Sequence, residues 1–170
     1  CQDTYSLLPT EALLAGAKHN REQGVLRYSI VTSGRRLSDG EIDQVCESIR
    51  EIRRQVGIEV CVSFGLLGEA QFQKIKEAGA SRVHCNLESS RNYFPQICTT
   101  HTYVEKLAAL RAAKRVGLSV CSGGIMGLGE TMEDRIDMAL AIRDLGVKSI
   151  PVNLLNPIKG TPYERNRVLT

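Results

Sequence analysis

The sequence predicts an α/β fold in which helices and strands alternate and lay a parallel sheet against an outer layer of helices. Three observations predict it. Apolar residues recur at helical spacing in five stretches, and each stretch is followed by a short β-rich apolar run. Glycines stand where most of the helices would end. The units follow one another roughly 25–35 residues apart, which suits helix–strand pairs. No linker or low-complexity segment interrupts them, so the 170 residues read as one domain, 1–170, long enough to bury a substantial core.

Thr10 is placed to cap the first helix, with Glu11 in its first turn and Leu13, Leu14 and Ala17 on one face. VLRYSIVTS (25–33) reads as a strand. Ser38 or Asp39 opens the second helix, with Ile42, Val45, Ile49 and Ile52 at helical spacing, and IEVCVS (58–63) follows Gly57. Glu69 to Ala78 is helical and stops at Gly79; SRVHCNL (81–87) is the next strand. Thr102 to Val116 is closed by Gly117 and leads into LSVCS (118–122). Thr131 caps a helix running through Leu145, Gly146 ends it, and KSIPVNLL (148–155) is the last strand.

Lys plus Arg number 22 against 19 Asp plus Glu, a formal charge of +3 with both signs interspersed. There is no basic stripe, so nucleic acid is not an expected partner. No apolar run approaches the ~20 residues of a membrane span, and CQDTYSLLP lacks the basic and apolar regions of a signal peptide. The expected location is the cytoplasm, with no membrane partner. The chain starts at Cys1 without a methionine and is expected to be a piece of something longer. In a reducing compartment its cysteines, Cys1, Cys46, Cys61, Cys85, Cys98 and Cys121, are ligands or buried thiols before they are disulfides. None sits at the close spacing of a zinc knuckle, so any metal site must be gathered by the fold.

In parallel α/β folds the chemistry collects at the C-terminal ends of the strands. Those ends carry Ser29 to Gly34; Cys61, Ser63 and Gly65; His84, Cys85, Asn86 and Glu88; Cys121 to Gly124; and Asn153 with Asn156. Cys61 and Cys121 each follow apolar residues and precede a small polar one. Their thiolates suit iron or zinc, or they are buried structural thiols. Cys46, Cys85 and Cys98 read as structural. Asn86 and Glu88 share a face of an extended segment and suit a ribose diol or a strand-end turn; His84 falls on the same face. Asn153 interrupts an apolar strand, where a buried amide needs a partner: backbone, or a substrate amide or urea. The glycine-rich stretch VCSGGIMGLGE (120–130) exposes backbone to a phosphate, a metal cluster or an ordinary tight turn.

Two architectures fit the alternation. A doubly wound sheet predicts a phosphate fingerprint after the first strand, and TSGRR matches GxGxxG poorly. A (β/α) barrel needs more strands than these five.

SVCSGGIMGLGET (119–131), SIPVNLLNPIKGTP (149–162) and FPQICTTHTY (94–103) resemble the biotin synthase family of radical S-adenosylmethionine (SAM) enzymes, and the resemblance runs from about Leu8 to Glu164. It implies a (β/α) TIM-type barrel, of which this chain supplies about five consecutive units. It implies radical chemistry with SAM and a [4Fe–4S] cluster, dethiobiotin as substrate, an auxiliary iron–sulfur cluster as sulfur donor, an electron donor such as flavodoxin or ferredoxin, and a homodimer at full length. Gly123, Gly124, Ile125, Gly127 and Glu130 then belong to the segment that meets the adenine, and Asn86 and Glu88 to the ribose and methionyl end. Asn153 and His84 belong to the substrate, and Cys61 and Cys121 to the auxiliary cluster. Three departures stand out. The CxxxCxxC motif is absent, Cys1 being at most its last cysteine. Ser29 stands where a third auxiliary-cluster cysteine is common, and His84 replaces a common Asn. Arg27 and Ser33 keep positions at the barrel mouth. The rival readings are a hydrogenase-maturase or methylornithine-synthase type of radical SAM enzyme, and a non-catalytic barrel fragment. With the motif missing, the isolated chain is expected to be inactive.

Overall fold

The computed structural model describes residues 6–169. In chain order the elements are α1 (Thr10–Glu22), β1 (Arg27–Val31), α2 (Asp39–Gln55), β2 (Glu59–Ser63), α3 (Glu69–Glu77), β3 (Arg82–His84), α4 (Phe94–Ile97), α5 (Tyr103–Arg115), β4 (Ser119–Cys121), β5 (Gly124–Met126), α6 (Met132–Asp144) and β6 (Val152–Leu154). The five anticipated helix–strand pairs are present, and the fold is parallel α/β. Among the described residues the strand pairings do not close on themselves.

Three local expectations are corrected. Thr10 is the first helical residue of α1 rather than its cap; Pro9 holds the cap position, and the Thr10 hydroxyl is hydrogen-bonded to that of Ser48 at 2.8 Å. The strands are shorter than their apolar runs: 25–33 gives β1 only over Arg27–Val31, and 81–87 gives β3 only over Arg82–His84. The glycine-rich stretch contains a strand, β5, that its composition concealed.

The chain divides into two compact units, one comprising the described residues up to Val83 with Ala112–Ser119, the other His84–Arg111 with Val120 onward. The unit boundaries fall inside β3, α5 and β4.

In the first unit, α2 starts on a capping box: the Ser38 side chain accepts from the Glu41 amide, and the Glu41 carboxylate accepts from the Ser38 amide at 2.8 Å. The helix then buries Ile42, Val45, Cys46, Ile49 and Ile52 on one face. Cys46 is thus a core thiol, as its helical phase required. Each such aliphatic side chain contributes about 1.5–3 kcal/mol by leaving water. β1 and β2 run parallel with Arg27 opposite Glu59, Ser29 opposite Cys61 and Val31 opposite Ser63. β2 continues parallel to β3 with Cys61 opposite Arg82. Val60, Cys61 and Val62 are all buried, as both faces of a strand are in a covered parallel sheet. The turn after β2 needs a glycine: Gly65 has φ 77°, and a Cβ there would overlap the Arg35 carbonyl.

In the second unit, β5 and β6 run parallel, with Gly124 opposite Val152, Ile125 opposite Asn153 and Met126 opposite Leu154. Leu87, Phe94, Leu110, Met138 and Ile142 form its core. α6 begins on a second capping box, between Thr131 and Asp134. β6 is exposed along its length, with Val152 58% and Leu154 60% accessible. No helix among the described residues is long and apolar enough to cross a membrane.

Candidate functional site

In the second unit the segments 84–88 and 121–130 lie side by side with Lys106 of α5 beneath them. The chain from Cys121 to Ile125 is bonded on both flanks. On one side Cys85 N donates to Cys121 O (3.0 Å), Glu88 N to Gly123 O (3.0 Å) and Ile125 N to Glu88 O (3.0 Å). On the other, Ser122 N donates to Ser149 O (3.1 Å) and Gly124 N to Pro151 O (3.2 Å). This explains the adjacent glycines. A Cβ at Gly123 would overlap the Pro151 carbonyl oxygen, and one at Gly124 would lie 2.5 Å from the Glu88 carbonyl oxygen. The pair is demanded by neighbouring backbone.

The glycines that follow do something else. Glu130, whose side chain is 2% exposed, accepts from Gly127 N at 2.8 Å through one oxygen and from Gly129 N at 3.1 Å through the other. Arg135 Nε donates to Oε1 at 2.8 Å. Burial raises the pKa of this carboxyl, but the backbone donors and Arg135 outweigh it and hold it below the usual carboxylate range. Gly127 O accepts from Asn166 Nδ2 at 2.8 Å, and Leu128 O from the Tyr93 hydroxyl at 3.1 Å. A phosphate cradle needs outward-facing amides, and those of Gly127 and Gly129 are turned onto Glu130. The loop instead offers glycine surface beside half-buried Ile125.

Asn86 is buried, and its Oδ1 accepts from Gly123 N at 3.0 Å. Glu88 departs from the extended run expected for 86–88: its φ is 71°, the only positive value at a described residue other than glycine. Its Oε1 lies 3.7 Å from Lys106 Nζ, and its Oε2 is buried with no hydrogen-bond partner. Lys106 Nζ donates to Asn86 O at 2.8 Å and its side chain is only 13% exposed. A strained residue carrying an unpartnered buried acceptor is a ligand-facing arrangement. Such an oxygen can accept from a hydroxyl or ammonium donor.

His84 Nδ1 lies 3.4 Å from Cys121 Sγ, and Ser149 Oγ donates to the same sulfur at 3.4 Å. Burial lowers the His84 pKa and Lys106 adds to this, with Glu88 opposing. Cys85 is buried, and desolvation raises its thiol pKa, as a structural cysteine requires. Cys98, read as structural, is half-buried beside Thr100 and His101. Asn153 is exposed, correcting the expectation of a buried amide, because β6 pairs with β5 along one edge only among the described residues. Cys61 belongs to the first unit, between Ser29 and Arg82 in the strand register, and is buried. Cys1 lies outside the described residues. Among the described residues no three His, Cys, Asp or Glu side chains form a group able to hold a metal ion, so they do not by themselves complete the donor set of an iron–sulfur cluster.

Sequence reasoning missed Lys106, Tyr93, Arg135 and Ser149. Lys106, Tyr93 and Ser149 act on groups 20 or more residues away, and Arg135 reaches back five residues to Glu130 outside the helical i,i+3 and i,i+4 pairs, so nothing local announces them. Thr102 and Glu105, a capping pair just before Lys106, marked only the helix start.

A parallel α/β chain with this site matches, over residues 2–142, the family model described as the radical SAM superfamily. The chain belongs to that superfamily. It is 57% identical over 160 residues to "Biotin synthase 2" of Corynebacterium diphtheriae, covering 94% of this chain and 48% of that protein. It is 58% identical over 161 residues to "Biotin synthase" of Akkermansia muciniphila, covering 95% and 50%. The chain therefore spans about half the length of these relatives. Among solved structures, methylornithine synthase superposes with a TM-score of 0.87 at 20% identity over 98% of this chain and 50% of that one. The hydrogenase maturase HydG of Carboxydothermus hydrogenoformans does so with 0.80 at 19% identity over 98% and 42%. At such identities these two structures establish the fold alone.

Proposed function

We propose that this chain is part of a biotin synthase, acting in the SAM-dependent insertion of sulfur that converts dethiobiotin to biotin. The observation that carries the reading is 57–58% identity to proteins named biotin synthase across 94–95% of this chain. When bound, SAM with a reduced [4Fe–4S] cluster supplies one-electron C–H activation, and an auxiliary iron–sulfur cluster supplies the sulfur.

The chain's own residues bind and orient. Glu88 Oε2 accepts from the hydroxyl or ammonium donors of SAM. Asn86 ties that segment to Gly123, and Lys106, by holding the Asn86 carbonyl, fixes the backbone that presents Glu88. Gly123 and Gly124 let the strand run close against Pro151 and Glu88, Gly127 keeps the loop bare so that Ile125 can meet the purine, and Glu130 holds the loop in shape. The exposed amide of Asn153 offers a donor and an acceptor to the ureido ring of dethiobiotin, and His84 faces the same substrate. Cys61 and Cys121 supply thiolates to the auxiliary cluster and Cys1 one to the [4Fe–4S] cluster; the remaining ligands lie outside the described residues. Flavodoxin or ferredoxin is the proposed electron donor, the full-length enzyme a homodimer, and the cytoplasm its location.

The test is iron and acid-labile sulfide per chain after anaerobic reconstitution, in the wild type and in the Cys61→Ala/Cys121→Ala variant, alongside equilibrium dialysis with SAM. Iron lost in the double variant and saturable SAM binding are expected. A chain that binds SAM no better than Glu88→Gln would sink the cofactor assignment.

A further inference from the structure

The glycine loop 127–130 is held from one side by Glu130, on its own turn, and from the other by Tyr93. Tyr93 comes from the segment that leads into α4 and plays no part in the assignment above. Its hydroxyl donates to the Leu128 carbonyl at 3.1 Å. A Cβ on Gly129, which has φ 113°, would lie 2.5 Å from that same oxygen. The phenol therefore fills the space that the glycine leaves, and the two positions are mutually fitted. Tyr93 is itself anchored: its amide donates to Ser90 Oγ at 2.9 Å, and Ser90 Oγ donates to Asp134, the capping carboxylate of α6. The frame runs from Tyr93 through Ser90 and Asp134 to Thr131, and so back to the end of the loop. Burial raises the Tyr93 pKa, with Glu130, Tyr163 and Asp134 adding to it, so the hydroxyl is a donor at neutral pH.

We propose that Tyr93 is a positioning residue for the nucleoside: by capping Leu128 O and packing against Gly129 it fixes the loop beside Ile125, and so sets affinity for the adenosyl group. This rests on the reading of that loop as the purine contact. Glu130 holds the Gly129 amide and Tyr93 the Leu128 carbonyl, the two ends of one peptide plane. The second anchor adds to the hold on that plane before the ligand arrives.

Tyr93→Phe keeps the ring and removes the bond. Hydrogen exchange on the intact chain should show faster exchange confined to residues 127–130. Equilibrium dialysis should show SAM and 5′-deoxyadenosine weakened by the same factor, about 3- to 10-fold for one neutral hydrogen bond, because both carry the purine. Tyr93→Leu, which also loses the packing on Gly129, should weaken both further. A merely structural role would lower the melting temperature and leave both affinities unchanged, which overturns the proposal. Faster exchange with unchanged affinity overturns it too. If the wild-type chain binds neither ligand, the assignment of the loop to a nucleoside falls first and takes the proposal with it. Wild-type binding that Tyr93→Phe leaves intact refutes the role of Tyr93 alone.

Discussion

Arg135 Nε and Glu130 Oε1 lie 2.8 Å apart, and the carboxylate held by that contact carries the amides of Gly127 and Gly129. The ion pair is thus the keystone of a loop with almost no side chains of its own. A glycine-rich segment has the largest backbone entropy to lose, so its order must be imposed by neighbours.

The first consequence concerns pH. The Glu130 pKa is depressed in the folded chain, so the unfolded state binds a proton at higher pH than the folded state does. Its stabilisation is fully present above the unfolded value and is lost as pH falls through the lower folded value. Glu130→Gln should destabilise the chain by about 1–3 kcal/mol at neutral pH. Urea melts at descending pH should show the gap between wild type and variant closing below the ordinary glutamate range. A pH-independent gap would mean that the charge contributes nothing.

Glycines in the two units should respond in opposite directions. Gly123→Ala drives a methyl into the Pro151 carbonyl, backbone that cannot swing aside, and should cost at least about 1–3 kcal/mol. Gly40, near the start of α2, has nothing within 4 Å of its would-be Cβ. Gly40→Ala should stabilise by about 0.5 kcal/mol by restricting the unfolded chain. Thermal melts of the two variants decide the matter.

The capping box of α2 gives a test of local origin. Ser38→Ala removes the acceptor for the Glu41 amide and one of the two donors to the Glu41 carboxylate, whose pKa the Ser38 hydroxyl and amide lower. A loss of about 0.5–2 kcal/mol in chemical denaturation is expected.

β6 and the outer side of α6 leave Val152, Leu154, Met132 and Ile136 more than half exposed. An open apolar strand edge templates pairing with another chain. The isolated chain should therefore self-associate with rising concentration in sedimentation velocity. Replacing Val152 and Leu154 by Lys should return it toward the monomer.

With no CxxxCxxC motif in the sequence, the 170-residue chain alone should not turn over dethiobiotin under reducing, cluster-reconstituting conditions. Sustained product formation would overturn that expectation.

Much of this was readable along the chain. Helical phase put Ile42, Val45, Cys46, Ile49 and Ile52 on one buried face, and Thr131 and the Ser38–Asp39 pair announced their helix starts, because these effects act within one or two turns. The three motif segments carried the family. β5 was not readable: three residues between glycines are too short for a period of two to show, and their strand state comes from flanking backbone at Glu88 and Pro151. Nor was the φ of Glu88, since a non-glycine residue enters the left-handed region only where surrounding contacts enforce it.

By itself, then, the sequence determined the alternation of helix and strand, the parallel α/β class and the residues from which a cofactor site could be drawn. Local spacing, capping and glycine placement are written in neighbouring residues. Only the tertiary structure decided which polar groups are already spent. Asn86 on Gly123, Glu130 on its own loop and Lys106 on a carbonyl twenty residues away are committed, while Glu88 Oε2 is left buried and unpartnered. Whether a buried polar atom is satisfied depends on partners brought close by the fold, and distance in space is the one quantity that order along the chain does not contain.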